Sequence, residues 1–442
     1  MRRTTRVLVT ATAAVVAAGI AIPVLVHTAG GGTAPAPAAA AGIADAAGSG
    51  QSVAQWNRTL ITIQGTSGVQ PSSVHPTRSF AMLHAAQYNA VVSITHAGRP
   101  FHSAVPAADD ARPDAAADQA AHDVLVGLYP SMRAGLDNQL ATQLADLPAG
   151  APTQDGVAVG AAAAAAMLAQ RSADGSATVP APFVPGTAPG DYRPTAPKFG
   201  PPMYTAWGSV TPFLLDNAGQ FRPAPPPPVT TAQYATALAE VKSIGQDTSA
   251  TRTPDQTVAG KFWSAAPIWN TWNQVAERLT DDQHASLAQA TSVFSAMDLA
   301  LADTTIALYD AKYQDNVWRP ITAIQHGLSG ANPPIAADPT WNPLTPTAAD
   351  PSYPGAHSAL SAAAATVLTA FYGTQQPVTV TTAADPGVTR AFPNLAAVAD
   401  EAGLSRIWAG QHTRLDHQIG QQLGHQVAAQ VLSDLPVPPS TR

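Results

Sequence analysis

Residues 287–320 read LAQATSVFSAMDLALADTTIALYDAKYQDNVWRP. Within them Leu287, Ala290, Phe294, Met297, Leu301, Thr305 and Leu308 recur at steps of three and four, which places their side chains on one face of an α-helix. The stretch therefore predicts a long helix with a buried stripe. The next position on that stripe is Lys312, and two turns further stands Arg319, followed by Pro320, which stops a helix by removing a backbone donor. Cations that continue a core-facing stripe need an anion, because an unpaired buried charge is very costly. Either the stripe surfaces at Lys312 and both residues snorkel or pair with Asp303, Asp310 or Asp315, or a ligand supplies the charge.

Two more stretches bear on that choice. Tyr353-Pro354-Gly355-Ala356-His357-Ser358 opens a helix expected over 358–371. Pro and Gly make the turn, and the N–H groups of Gly355, Ala356 and His357 are expected free at the positive end of the helix dipole, a ready anion site. His357 stands at its edge, where a general acid or base is useful. Further on, Ser405-Arg406-Ile407-Trp408-Ala409-Gly410-Gln411-His412-Thr413-Arg414-Leu415-Asp416 concentrates charge in a chain poor in it. Gly410 is the expected break between a helix carrying Ser405 and Arg406 and a second that places His412 and Asp416 on one face. An arginine fork facing an imidazole suits an oxyanion. Each stretch alone also fits a solvated helix face or an ordinary helix start. Together they offer donors and imidazoles, with no carboxylate or cysteine cluster for a metal cation, and a phosphate-shaped oxyanion is the economical ligand.

Elsewhere helical spacing dominates and period-two alternation is scarce. Residues 77–91 read as a helix with His84 as a core histidine. Residues 118–147 read as a hairpin broken near Pro130, and residues 157–171 as an Ala-rich helix. Residues 179–230 are full of proline yet hold Phe183, Tyr192, Phe199, Tyr204, Trp207, Phe213 and Phe221, too many aromatics for a disordered linker. Helices resume at Thr231, with an irregular stretch over 327–353. The expected organisation is a secretory signal and cleavage region over 1–42, an N-terminal helical part over 43–178, the Pro-rich aromatic loop over 179–230, and a C-terminal helical part over 231–442 carrying the oxyanion site. Asn57-Arg58-Thr59 is a glycosylation sequon by pattern only.

Arg2, Arg3 and Arg6 precede an apolar run from Val7 to Val26 and an Ala/Pro/Gly tail, the order of a secretory signal. An uncleaved anchor is the competing possibility, since the run is nearly long enough to span a bilayer. Removing the signal leaves 19 Lys and Arg against 29 Asp and Glu, a net charge of −10. An acidic exported chain is a poor partner for nucleic acid or anionic membrane. No second run is long enough to span a bilayer, and the lack of cysteine excludes disulfides and thiolate chemistry.

Lys312, six residues, Arg319-Pro320; Pro354-Gly355-Ala356-His357; Ser405-Arg406, five residues, His412, three residues, Asp416: this order and spacing resemble the three-part signature of the superfamily uniting vanadium-dependent haloperoxidases and type 2 phosphatidic-acid phosphatases. The first and third parts match in full. The second usually reads Pro-Ser-Gly-His, and here Gly355 and Ala356 replace serine and glycine, so one hydroxyl donor is lost, with Ser352 or Ser358 as candidate substitutes. Likeness in texture extends to 77–91 and 207–263 and points to the exported, haloperoxidase-like branch. The resemblance implies a mostly α protein, two packed helix bundles in one globular body with long Pro-rich loops. It implies that Lys312, Arg319 and Arg406, with the Gly355–Ala356 turn, hold the oxygens of vanadate or phosphate, and that His412 bonds to vanadium or attacks phosphorus. His357 would be the acid/base, and Ser405 and Asp416 would be supporting residues. Two chemistries are implied: a vanadate-dependent enzyme passing oxygen from hydrogen peroxide to halide, or, with no cofactor, an exported acid phosphatase cleaving a phosphate ester through phosphohistidine. The first is preferred, with an organic acceptor as its further small-molecule partner. A non-catalytic exported binding protein is the third possibility.

Overall fold

Apolar residues at helical spacing find one another along most of this chain, and the rest is turn and loop. A computed structural model describes residues 49–102 and 104–435; the expected secretory signal lies outside them. Among the described residues the helices are α1 (Gln51–Gly65), α2 (Thr77–Thr95), α3 (Pro113–Leu128), α4 (Arg133–Ala145), α5 (Ala151–Gln170), α6 (Ala232–Ile244), α7 (Pro254–Ala265), α8 (Ile268–Asp282), α9 (Leu287–Asp315), α10 (Pro320–His326), α11 (Ala356–Tyr372), α12 (Leu395–Trp408) and α13 (Arg414–Asp434). Two 3-10 turns, Pro130–Met132 and Trp207–Ser209, and a two-stranded antiparallel ribbon, β1 (Val378–Thr381) and β2 (Thr389–Phe392), accompany them. The chain is mostly α, as expected. No described helix is long and apolar enough to cross a membrane.

The helix α9 is the axis on which two bundles meet. On one side it packs with α2, which in turn packs with α3 and α5; on the other it packs with α11 and α13, and α12 joins through α11. The periodicity predicts one buried stripe, but α9 is buried on nearly every face. The residues between the stripe positions are mainly Ala, Ser and Thr, small enough to sit against a second layer without reading as apolar. A capping box starts α9: Ser286 accepts the Gln289 N–H, and the Gln289 side chain accepts the Ser286 N–H. Asn316 ends it in the left-handed conformation, φ 49°.

Residues 179–230 hold a single 3-10 turn, Trp207–Ser209, yet they are tied down. The buried Asp303 carboxylate accepts the N–H groups of Phe213 (2.6 Å), Leu214 (2.7 Å) and Leu215 (3.0 Å). Arg222 forks onto Asp310, and Tyr192 and Trp207 are buried. Asp303 and Asp310 are thus committed to this segment and do not pair with Lys312 or Arg319. His84 is a core histidine, its Nδ1 2.6 Å from Asp298. Asn57 is fully buried and donates to Glu277 at 2.6 Å, so the folded chain does not offer the sequon at its surface.

Candidate functional site

The last turn of α9 delivers Lys312 with no exposure to solvent. Arg319 lies off that helix, because the chain turns at Asn316, extends, and starts α10 with Arg319 as its N-cap. The short return brings the two cations together on one carboxylate, that of Asp350. Lys312 Nζ is 3.5 Å from Asp350 Oδ1 and donates to the carbonyls of Pro351 and Ser352, the latter at 3.2 Å. Arg319 Nη2 pairs with the same Oδ1, while its Nε donates to the Asp350 carbonyl at 2.7 Å. Burial alone would push the Asp350 carboxyl up; Lys312 and Arg319 hold it at about 2 instead. Burial draws Lys312 down to about 8 against the pull of Asp350.

His412 precedes α13 rather than riding on it. Thr413 is the N-cap, its hydroxyl accepting the Asp416 N–H (3.3 Å) while the Asp416 carboxylate accepts the Thr413 N–H (2.7 Å). The same carboxylate oxygen lies 3.4 Å from His412 Nδ1 and accepts the Ser352 hydroxyl at 2.7 Å. On the other ring nitrogen, Arg319 Nη1 approaches Nε2 at 3.1 Å and also donates to the Gln411 carbonyl at 3.0 Å. An arginine can only donate, so the network assigns the proton to Nδ1 and the lone pair to Nε2. Burial and then the Arg319 charge hold His412 down at about 3, so the ring is neutral in the neutral range.

Arg406 ends α12 and is 6% exposed. Its Nη1 donates to Ser264 Oγ at 2.5 Å and its Nη2 to Gln411 Oε1, both neutral oxygens; its Nε has no partner. Burial, then the neighbouring Arg319, draws its pKa down to about 9. His357, partly exposed in the first turn of α11, donates Nε2–H to the Trp263 carbonyl at 2.9 Å, which leaves its Nδ1 lone pair free. Burial and Arg406 push its pKa well below 6.5.

The helix start at 355–357 differs from expectation in one donor. The Gly355 N–H is spent on the Asp416 carbonyl at 2.9 Å, leaving Ala356 and His357 as the N–H groups at the positive end of α11. Neither serine stands in for the missing hydroxyl: Ser352 donates to Asp416, and Ser358 lies 2.9 Å from His417 Nδ1. Ser405 donates to Ala402 within its own helix, at 2.7 Å, and does not reach the cluster. Four contributors were not singled out from the sequence: Asp350, Ser264, Gln411 and the Trp263 carbonyl. The signal for Asp350 was the need for an anion at two buried cations; its position in an irregular stretch carries no periodic mark.

The arrangement suits an oxyanion. Lys312, Arg319 and Arg406 carry three positive charges, Asp350 and Asp416 two negative ones, and the unpartnered Arg406 Nε marks where a further acceptor belongs. Among the described residues no group of three or more His, Asp or Glu stands close enough to hold a metal cation. A cavity of about 280 Å³ lies nearby between the proline-rich segment and the Ser72–Ser73 turn. Tyr204, which lines it, packs on Tyr309 (centroids 5.1 Å apart), whose hydroxyl donates to Asp350 Oδ2 at 3.2 Å.

Residues 292–435, which contain every cation and imidazole of the cluster, match the family described as the VCPO second helical-bundle domain. Among solved structures the chain is similar to one described as the first bacterial vanadium-dependent iodoperoxidase, at 23% identity and TM-score 0.78, covering 89% of this chain and 98% of that one. It is similar to a bacterial vanadium-dependent chloroperoxidase in its holo form (15% identity, TM-score 0.63, 81% of this chain and 90% of that one). The apo form gives 14% identity and TM-score 0.61 over 82% and 93%. No curated protein matches.

Proposed function

From the premise that this chain has the fold of the vanadium haloperoxidases, with their second helical bundle over 292–435, we propose that it is an exported, vanadium-dependent haloperoxidase-like enzyme. It would oxidise halide with hydrogen peroxide at a vanadate attached to His412. The observation that supports this most is Arg406, a buried guanidinium with no carboxylate partner and an orphan Nε at the edge of a donor-rich cluster. Such a charge is costly to keep unless an anion completes it.

Each residue's task follows from its surroundings. Lys312, Arg319 and Arg406, with the N–H groups of Ala356 and His357, hold the oxyanion's oxygens through charge-assisted hydrogen bonds. Asp416 keeps the His412 proton on Nδ1, so Nε2 presents its lone pair to the central atom. His357, neutral and with a free Nδ1, accepts the proton that hydrogen peroxide must lose. Vanadate, when bound, supplies the Lewis-acid centre that activates peroxide toward halide.

Phosphatase chemistry needs the same residues, because histidine-bound vanadate has the shape of the transition state of phosphoryl transfer. Gly355 favours that second reading, since the hydroxyl donor is absent and neither nearby serine replaces it. One experiment separates them. The metal-stripped protein, given vanadate, peroxide and bromide, is expected to brominate a phenolic dye, with added phosphate slowing activation by competing for the same cations. Cleavage of an aryl phosphate that vanadate inhibits, without bromination under any condition, would replace this proposal with the phosphatase.

A further inference from the structure

Asp350 stands where an oxyanion would be expected to stand. It lies in a stretch without helix or strand, yet it is 6% exposed. Its Oδ1 pairs with both Lys312 and Arg319, and its Oδ2 accepts the Tyr309 hydroxyl. Lys312 has three N–H donors and three partners, Asp350 and the carbonyls of Pro351 and Ser352. Each of the three Arg319 nitrogens is likewise engaged by protein, one of them against His412 Nε2. An incoming anion therefore finds Arg406 Nε and the N–H groups of Ala356 and His357 open, while Lys312 and Arg319 are already engaged.

Resting on the oxyanion site proposed above, we infer that Asp350 is a built-in counter-anion. It occupies Lys312 and Arg319 in the unliganded protein and makes the site select singly charged oxyanions over doubly charged ones. The charges give the selectivity. Three cations and two carboxylates leave one positive charge, with both imidazoles neutral. One negative charge on the ligand balances the cluster. A second would sit unbalanced beside the Asp350 carboxylate in a site with little water to screen it. The ligand must also loosen Asp350 from Lys312 and Arg319, so part of its binding energy replaces an interaction already present.

Calorimetric titration of the whole protein with perrhenate and sulfate tests this, since both are tetrahedral and carry one and two charges at any working pH. The unaltered protein is expected to bind perrhenate more tightly than sulfate. Asp350→Asn is expected to tighten sulfate binding at least tenfold, and perrhenate less. Its melting temperature should fall without ligand and rise with sulfate by more than that of the unaltered protein. Tyr309→Phe, which frees Oδ2 without touching a charge, should shift sulfate affinity the same way by a smaller factor, and it answers the question should Asp350→Asn fail to fold. Unchanged or weaker binding of both anions in either variant overturns the inference while leaving the site intact, for Asp350 would then only position the cations. No binding of either anion to any form overturns the inference and the oxyanion site together.

Discussion

Two buried cations in this protein live on different terms. Lys312 has Asp350; Arg406 has only the oxygens of Ser264 and Gln411. A charge kept without a counter-charge contributes little to stability, and well-packed apolar side chains often replace such groups at no loss. Arg406→Met is therefore expected to leave the melting temperature unchanged or raise it, while weakening oxyanion binding roughly 30- to 100-fold, the worth of one or two charge-assisted hydrogen bonds. Calorimetry of unfolding beside vanadate titration reads both, and a variant that unfolds would make Arg406 a structural residue. His357 offers a test by pH. A base must be deprotonated to work, and burial with Arg406 holds its pKa well below 6.5. The acid limb of kcat/KM should thus fall below the ordinary histidine range, with no loss between pH 6.5 and 8 traceable to this ring; a limb centred at 6.5 or above would show that another group is the base. Gly355→Ser is expected to tighten vanadate, since serine suits an N-cap. Its new Cβ would lie 3.1 Å from the Asp416 carbonyl, so a small shift must accompany the gain.

Helices set the spacing between the two halves of the site. α11 carries the 355–357 turn and α13 follows directly on His412. They approach closely because Gly420 and Gly424 face α11: a Cβ at Gly424 would lie 2.1 Å from the Ala359 carbonyl, and one at Gly420 2.6 Å from the Gly355 carbonyl. Gly424→Ala should cost about 1–3 kcal/mol in urea unfolding and weaken oxyanion binding as the halves move apart. Gly65→Ala, where nothing lies within 4 Å of the added atom, should do neither. This seam was not legible in the sequence, because glycine in a helix reads only as a weak point until its neighbour is known. The start of α13 was legible but misread. Thr413, two residues, Asp416 is a capping-box spacing, and it places His412 outside the helix, whereas the four-residue step from His412 to Asp416 suggested a shared face. The carboxylate still meets the imidazole, because the cap folds it back.

At the scale of the whole molecule, the helical class followed from periodicity, and the meeting of Lys312, Arg319, Arg406 and His412 was expected only from three stretches read together, each offering donors or imidazoles to one oxyanion. What periodicity could not say is that α9 is buried on nearly every face, since alanine and serine mark no face. Nor could it say how residues 179–230 hold to the body. Asp303 does much of that work, with three backbone N–H groups on one buried carboxylate. Its signal was an acid within an apolar run. Asp303→Ala should leave those donors unsatisfied at about 1–3 kcal/mol each, lower the melting temperature, and open 179–230 to limited proteolysis; a cleavage pattern identical to that of the unaltered chain would count against the clamp.

The pairing at Asp350 also has a meaning in time. A chain grows from its N-terminus, so Lys312 and Arg319 are made before Arg406 and His412. Asp350 follows Arg319 by 31 residues and is the acid these two cations share. A nascent chain therefore has the counter-charge for its first two cations before Arg406 and His412 exist. Arg406 and His412 join the cluster only when the last two helices are made, so pairing at Asp350 comes first in the order of synthesis.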